Sequence, residues 1–304
     1  MRLPVVEFRQ FSAGDERDKD AFAQAFGDGL RTFGFGVVAD HPIGPERIAR
    51  AFELCEQLFA LPESAKRACV VPESQGNRRY VPFRGERALG AQVADLKEFW
   101  HVGPDDNPAL LPNAWPKELP ELRHELSSLH RDFAEAARVL LRAVARYLDK
   151  PDEHFASMTV GGDSVLRLIH YPPLPPDRDP GALRAAAHED INLITLLAEG
   201  STGGLELLAD GVWLPVSSLR GQLVINAGDM LQRATHGHLR STTHRVANPS
   251  GPNVSRFSIP FFTHPRPEVL LEPMTPPPGW TGTSWPPITA GAYLSERLAA
   301  IRAG

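Results

Sequence analysis

No apolar run in this chain approaches the roughly 20 residues that a membrane-spanning helix requires, and Met1-Arg2-Leu3-Pro4-Val5-Val6-Glu7-Phe8 lacks the apolar stretch of a secretory signal. The expectation is a soluble, cytoplasmic protein without a membrane partner. Cysteine is nearly missing: Cys55 and Cys69 are the only two. Neither their count nor their spacing fits a disulfide framework or a zinc site, so both read as buried structural thiols. Blocks of lysine or arginine are missing too, and the formal net charge is -5. Nucleic acid is therefore a poor partner, and a small molecule a better one. No internal repeat or low-complexity linker divides the 304 residues, which suffice to bury roughly three quarters of the unfolded surface.

What is present follows two periods. Leu3 to Phe8 reads as a short strand. Phe22, Phe26, Leu30 and Phe33 recur at helical spacing, Ile48 to Phe59 marks a second helix that Pro62 closes, and Leu122 to Leu148 keeps the helical period for over seven turns. Gly34-Phe35-Gly36-Val37-Val38-Ala39 formally matches the dinucleotide-binding G-x-G-x-x-A. That motif requires a strand before it and a helix after it, the reverse of the order here, so these glycines are assigned to close packing of a strand after a helix. Residues 72–94 lack a period and read as loop, while Asp95 to His101 reads as a strand. After Pro151 the pattern changes to short β-rich runs between Gly/Pro turns: 164–171, 188–197, 204–208, 212–214, 222–226, 244–247 and 256–263. Ala290 to Ile301 reads as a closing helix. The class is α+β with a mainly β core, a sandwich or barrel of the jelly-roll kind, in one domain: a helical N-terminal part (1–150), the jelly-roll core (151–287) and a C-terminal helix (288–304).

The chemistry gathers at His188-Glu189-Asp190. On an extended backbone His188 and Asp190 share a face and Glu189 turns away. His244, in Ser241-Thr242-Thr243-His244-Arg245-Val246, adds a second imidazole far along the chain. Two imidazoles and one carboxylate on one side of a metal leave the opposite positions open, as in non-haem Fe(II) oxygenases. H-x-D alone is a common chance match. Further on, Arg256-Phe257-Ser258-Ile259-Pro260-Phe261 alternates, which sets Arg256 and Ser258 side by side as a fork for a carboxylate. A structural ion pair is the competing reading of that fork.

Beside these motifs stand Ile169-His170-Tyr171-Pro172-Pro173-Leu174, Gly203-Gly204-Leu205-Glu206-Leu207, Asn226-Ala227-Gly228-Asp229 and Gly237 to Val246. In order and spacing the set resembles the isopenicillin N synthase-like family of Fe(II)/2-oxoglutarate dioxygenases. The likeness reaches forward to Asp95-Leu96-Lys97-Glu98-Phe99-Trp100 and Phe33-Gly34-Phe35, and covers nearly the whole chain. It implies a double-stranded β-helix in which His188, Asp190 and His244 bind Fe(II), Arg256 and Ser258 hold the distal carboxylate of 2-oxoglutarate, and Tyr171 assists through its hydroxyl. It also implies an O2-dependent oxidoreductase that converts 2-oxoglutarate to succinate and CO2 while hydroxylating, desaturating or cyclising a small molecule at an unactivated C–H bond. An amino acid, a peptide or an intermediate of secondary metabolism fits that role. In one departure, Ile169 stands where many members carry asparagine two residues before the tyrosine, which leaves that co-substrate contact unassigned.

The regions from which this family draws its substrate contacts hold Arg78, Arg79, Tyr80, Phe99, His101 and Arg167, with Asn77 and Arg84 nearby. The adjacent arginines fit an acidic group or else are simply solvated. His236 and His238 read as packing or surface residues, His170 as facing away from the Tyr171 side, and Arg245 as structural. Two other readings stay open. One is a 2-oxoglutarate-independent Fe(II) oxidase of the isopenicillin N synthase type, with Arg256 and Ser258 on the substrate's own carboxylate; the other is a non-catalytic, cupin-like metal- or ligand-binding protein. The substrate, the position oxidised and the oligomeric state are not written in the sequence.

Overall fold

Asp15 starts the first long helix by accepting the Asp18 N–H at 2.9 Å, and Gly34 ends it at φ +70° with its N–H on the Leu30 carbonyl. A β-carbon at Gly34 would collide with the Thr242 hydroxyl and the Arg240 carbonyl, so glycine is what lets the chain turn straight from helix into strand. The computed structural model describes residues 3–70, 78–105, 107, 110–198, 203–217, 221–276 and 284–303, without the side chains of 79, 302 and 303. In chain order its elements are β1 (Val5–Glu7), α1 (Phe8–Ser12), α2 (Glu16–Phe33), β2 (Phe35–Ala39), α3 (Pro45–Ala60), α4 (Glu63–Arg67), β3 (Arg79–Val81), β4 (Glu98–Val102), α5 (Glu121–Tyr147), α6 (Glu153–Ala156), β5 (Val165–Tyr171), β6 (Ala185–His188), β7 (Ile194–Ala198), β8 (Leu205–Ala209), β9 (Val212–Pro215), β10 (Leu223–Ala227), α7 (Asp229–Ala234), β11 (His244–Val246), β12 (Arg256–Thr263), β13 (Leu270–Leu271), β14 (Ile288–Thr289) and α8 (Ala290–Ala303).

An eight-stranded sheet in the order β1-β2-β10-β7-β12-β5-β4-β3 faces a four-stranded sheet, β6-β11-β8-β9, and the two form a double-stranded β-helix. Strand alternation divides the residues of the large sheet between two environments. Ile259 and Phe261 of β12, Leu166 and Leu168 of β5 and Trp100 and Val102 of β4 join the core formed with α2, α3 and α5. Arg256, Ser258, Arg167, Ile169 and Tyr171 face the space between the sheets. The helix α5 buries Leu122, Leu126, Leu129, Phe133, Ala137, Leu140 and Val144, the positions its period predicts. Phe133 stacks on Phe261 with ring centroids 5.6 Å apart, a contact whose truncation to alanine costs about 3–5 kcal/mol.

Two sequence expectations about the strands need correction. The single strand over 188–197 is two strands, because β6 belongs to the small sheet and β7 to the large one, and the chain crosses between them at 189–193. Asn192 stabilises the crossing by donating to the Ile194 carbonyl at 2.8 Å and the Thr195 hydroxyl at 3.1 Å. Within the stretch read as loop, Arg79–Val81 forms edge strand β3 against β4, with Tyr80 opposite Trp100; three residues are too few to display a period. The N-terminal part supplies β1 to β4, half of the strands in the large sheet, and β1, β2 and β4 fall on runs read as strands from the sequence. Both cysteines are buried thiols that are not joined to each other, and no helix among the described residues is long and apolar enough to cross a membrane.

Candidate active site

Antiparallel pairing of β6 with β11 sets His188 directly opposite His244, with the ring centroids 4.5 Å apart. Asp190 lies just beyond the end of β6, on the crossing between sheets, and its Oδ1 is 3.9 Å from His188 Nε2 and 3.8 Å from His244 Nε2. One donor atom from each of the three falls within 4.8 Å of the others. The backbone settles which ring nitrogens are available. His188 Nδ1 donates to the Ala186 carbonyl at 2.8 Å and His244 Nδ1 to the Thr242 carbonyl at 3.0 Å, so Nε2 is the ring nitrogen that each turns toward Asp190. The second carboxylate oxygen of Asp190 is engaged by the Thr195 hydroxyl at 2.5 Å and the Asn226 amide at 2.8 Å, which leaves Oδ1 for a ligand. Phe35, delivered by the Gly34 turn, stands edge-on to His244 at 5.6 Å.

Electrostatics agree with this geometry. Burial, reinforced by the neighbouring His244, lowers His188 and keeps it neutral. Burial alone would raise Asp190, but the two imidazoles and the Asn226 and Thr195 hydrogen bonds outweigh it and hold the carboxyl below its usual range. Two imidazoles and one carboxylate, gathered on one side, match the donor set of an Fe(II) site with open positions opposite.

The triad borders a narrow pocket between the sheets whose walls include Ile169, Leu197, Leu205 and Val246. Arg256 and Ser258 enter it from β12, and the register places Arg256 across from Tyr171. Arg256 is 2% exposed, donates from Nε to the Gly203 carbonyl at 3.1 Å and holds its guanidinium carbon 5.0 Å from the Tyr171 ring centre. Burial lowers Arg256, and its hydrogen bond to the Tyr171 hydroxyl works the other way. Nearby Arg184, also buried, donates to the Val254 carbonyl and is lowered by burial and by the Arg256 charge. Two buried guanidiniums this close focus positive potential where an anion would sit.

A wider cleft opens on the other side of the triad. Its polar end holds Arg78, 1% exposed and ion-paired with Asp163, together with His101, Arg167 and His264, while Leu294, Leu298 and Ile301 of α8 form an apolar wall. Burial lowers Arg78 to about 10, so it stays charged, and takes His264 down to about 4, so it stays neutral. Of the residues singled out from the sequence, Arg78, His101 and Arg167 line this cleft. Phe99 lies one layer below, its ring centre 4.2 Å from the Arg167 guanidinium carbon.

Tyr80 is a correction: alternation on β3 turns it to the helix side, where its hydroxyl donates to Glu98 at 2.5 Å. Asn77 and the side chain of Arg79 lie outside the described residues. Glu189 faces the cleft and accepts the Thr243 hydroxyl. His236 packs against Trp285 and His238 against Tyr147; His170 stacks on Phe257, and Arg245 pairs with Glu206 beneath Trp213. The sequence reading missed Glu86, Lys97, Asp163, His264 and Arg297 as lining residues. Only Lys97 carried a signal, since alternation sets it on the same face as Phe99 and His101.

Comparison with known proteins extends this picture. Residues 3–118 match the family described as non-haem dioxygenase in morphine synthesis, N-terminal, and residues 162–265 match the 2OG-Fe(II) oxygenase superfamily. A 2-oxoglutarate-Fe(II) type oxidoreductase of Aspergillus fumigatus is 31% identical, covering 88% of this chain and 84% of its own. The proline hydroxylase buaE of Petromyces alliaceus is 33% identical over 90% of each chain. Among solved structures, a full-length Neurospora crassa protein in complex with alpha-KG and thymine superposes with a TM-score of 0.87 at 29% identity, covering 98% of this chain and 96% of that one.

Proposed function

The chain belongs to the 2OG-Fe(II) oxygenase superfamily, and from that premise we propose a division of its site into metal triad, co-substrate pocket and substrate cleft. The protein is an oxidoreductase that uses Fe(II), 2-oxoglutarate and O2 on a small molecule. His188, Asp190 and His244 hold the iron, and Arg256 and Ser258 hold the distal carboxylate of 2-oxoglutarate with help from Tyr171. The observation that carries this assignment is the convergence of His188 Nε2, His244 Nε2 and Asp190 Oδ1 beside a buried guanidinium.

Bound iron supplies the activation of O2 that couples oxidation of 2-oxoglutarate to succinate and CO2 with oxidation of a substrate C–H bond. The remaining tasks fall to side chains. Arg256 selects a dianionic co-substrate, because a neutral one would leave its buried charge unmatched. Ile169, Leu197, Leu205 and Val246 keep water from that pocket, and the hydrogen bonds of Thr195 and Asn226 hold Asp190 so that one oxygen faces the metal.

The substrate belongs in the wider cleft. Arg78 offers a donor and Asp163 an acceptor side by side, which matches a molecule carrying N–H and C=O or carboxylate groups close together; the α8 wall takes its apolar body. Proline and thymine, named with the relatives above, are small ring compounds of that description. We therefore assign a small nitrogen-containing ring compound or amino acid as substrate and hydroxylation as the outcome. Anaerobic addition of Fe(II) and then 2-oxoglutarate should produce a visible charge-transfer band, and turnover of a panel of such compounds should yield succinate and hydroxylated product in equal amounts. Absence of the band overturns the triad and pocket assignment, and product without succinate moves the protein to the oxidase reading.

A further inference from the structure

The stretch Asp95-Leu96-Lys97-Glu98 serves two networks on opposite faces. Toward the helices, Glu98 accepts from Lys66 at 2.8 Å, the Tyr80 hydroxyl at 2.5 Å and His170 at 2.8 Å. Toward the site, the Lys97 ammonium lies 2.7 Å from Glu86 and 2.8 Å from Asp95, and it borders both the cleft and the co-substrate pocket. Asp95 is 2% exposed and uses both oxygens: Oδ2 takes Lys97, and Oδ1 takes the backbone N–H of Ala186 at 2.9 Å.

That second contact falls at a sensitive place. The four-residue strand β6 is at the edge of the small sheet, so β11 supports it on one side only. There the Asp95 carboxylate takes the Ala186 N–H, and just before the strand Leu96 N–H bonds the Leu183 carbonyl at 2.9 Å. Ala186 is also the residue whose carbonyl orients Nδ1 of His188. A carboxylate accepting a backbone N–H makes a stronger and more directional bond than a neutral acceptor would, and Lys97, bonded to the other oxygen at 2.8 Å, keeps this carboxylate aimed.

We propose that Asp95 is a positioning residue of the metal centre: it closes the open edge of β6, fixes the direction of His188 through Ala186, and is tied by Lys97 to Glu86 in the wall of the substrate cleft. This rests on the reading of His188 as a metal ligand. It assigns Asp95 an effect on metal affinity rather than on stability alone. Partners of this kind, one step removed from a metal, typically change affinity about 10- to 100-fold when removed.

The test is anaerobic titration of the metal-free protein with Co(II), followed by the visible absorption of the bound ion, with thermal unfolding recorded separately. Asp95→Ala should weaken Co(II) roughly 10- to 100-fold. Asp95→Asn keeps an oxygen for Ala186 without the charge and should fall between, at about three- to tenfold. Glu98→Gln, on the other face of the same stretch, should lower the unfolding temperature and leave Co(II) affinity within about twofold. Wild-type affinity in Asp95→Ala, or equal weakening in Glu98→Gln, overturns the proposal. Should Asp95→Ala fail to fold, Asp95→Asn decides alone, and wild-type affinity there overturns it. A wild-type protein that takes up no Co(II) would instead count against the triad itself.

Discussion

Replacing Arg256 by methionine keeps most of the side chain's volume and removes only its charge and its fork. The pocket assigned to the distal carboxylate of 2-oxoglutarate would then keep its apolar walls, Ile169, Leu197, Leu205 and Val246, and of the three residues assigned to that carboxylate only the Ser258 and Tyr171 hydroxyls. Arg256 is almost wholly excluded from solvent, so solvent screening does little to soften the loss. Breaking one side of a buried ion pair costs about 3–5 kcal/mol, and at about 1.4 kcal/mol per decade this is on the order of 100- to 4,000-fold in 2-oxoglutarate affinity. Arg256→Lys retains the charge and loses the planar fork, and should fall between at roughly 5- to 30-fold. Affinity is read directly by titrating 2-oxoglutarate into the anaerobic Fe(II) protein and following the charge-transfer band, with the KM for 2-oxoglutarate from succinate formation as a second measure. A change under about threefold in folded Arg256→Met would refute the assignment. A rise in KM for the primary substrate alone would place that substrate's own carboxylate on Arg256.

Three further outcomes bear on the same site. Asp190→Ala removes the one carboxylate of the triad, so Co(II) affinity should fall at least about 100-fold, and an unchanged titration would remove Asp190 from the metal. Arg297 pairs with Asp229 at 3.3 Å, and Tyr293 bonds the same carboxylate at 3.2 Å, so α8 is fastened to α7 beside the cleft; Arg297→Ala should raise the KM for the primary substrate several-fold and leave that for 2-oxoglutarate unchanged, and the reverse pattern would contradict the placement of α8. His264 is held neutral by burial down to about pH 4, whereas the unfolded chain protonates it near its ordinary value of 6.5. Its contribution is therefore fully present above pH 6.5 and lost as pH falls from there toward 4; urea midpoints measured across that window should fall less steeply in His264→Gln, by about one proton, and identical slopes would refute the assignment.

Alternation along a strand was the most informative signal in the sequence, and it has a definite reach. It tells which residues share a face, and so it separated Arg256 and Ser258 from Phe257, Ile259 and Phe261, which the structure divides between the pocket and the helix side. It does not tell which sheet a strand joins. The run from His188 to Leu197 looked continuous because each half has a strand's composition, yet Asp190 faces the imidazoles from the crossing between two sheets rather than from the next position on one strand. The substrate cleft was less legible for a related reason. Arg78, Asp163, His264 and Arg297 come from a short edge strand's start, a loop, a strand's end and the closing helix, and they meet only because the sheet order brings them together. No local pattern encodes such a meeting.

Asp95-Leu96-Lys97-Glu98 shows where the boundary falls. Its three charges stand at and just before the start of β4, beside apolar Phe99 and Trp100, and a buried charge needs a partner, so the requirement for partners was readable. Their identity was not, because Lys66, Tyr80 and His170 reach Glu98 from three different elements and Ala186 reaches Asp95 from a fourth. The same limit applies to function. The metal triad is compact enough to be written largely in two short motifs, whereas substrate choice is spread over side chains that only the completed fold assembles, so relatives can keep the first and vary the second one residue at a time.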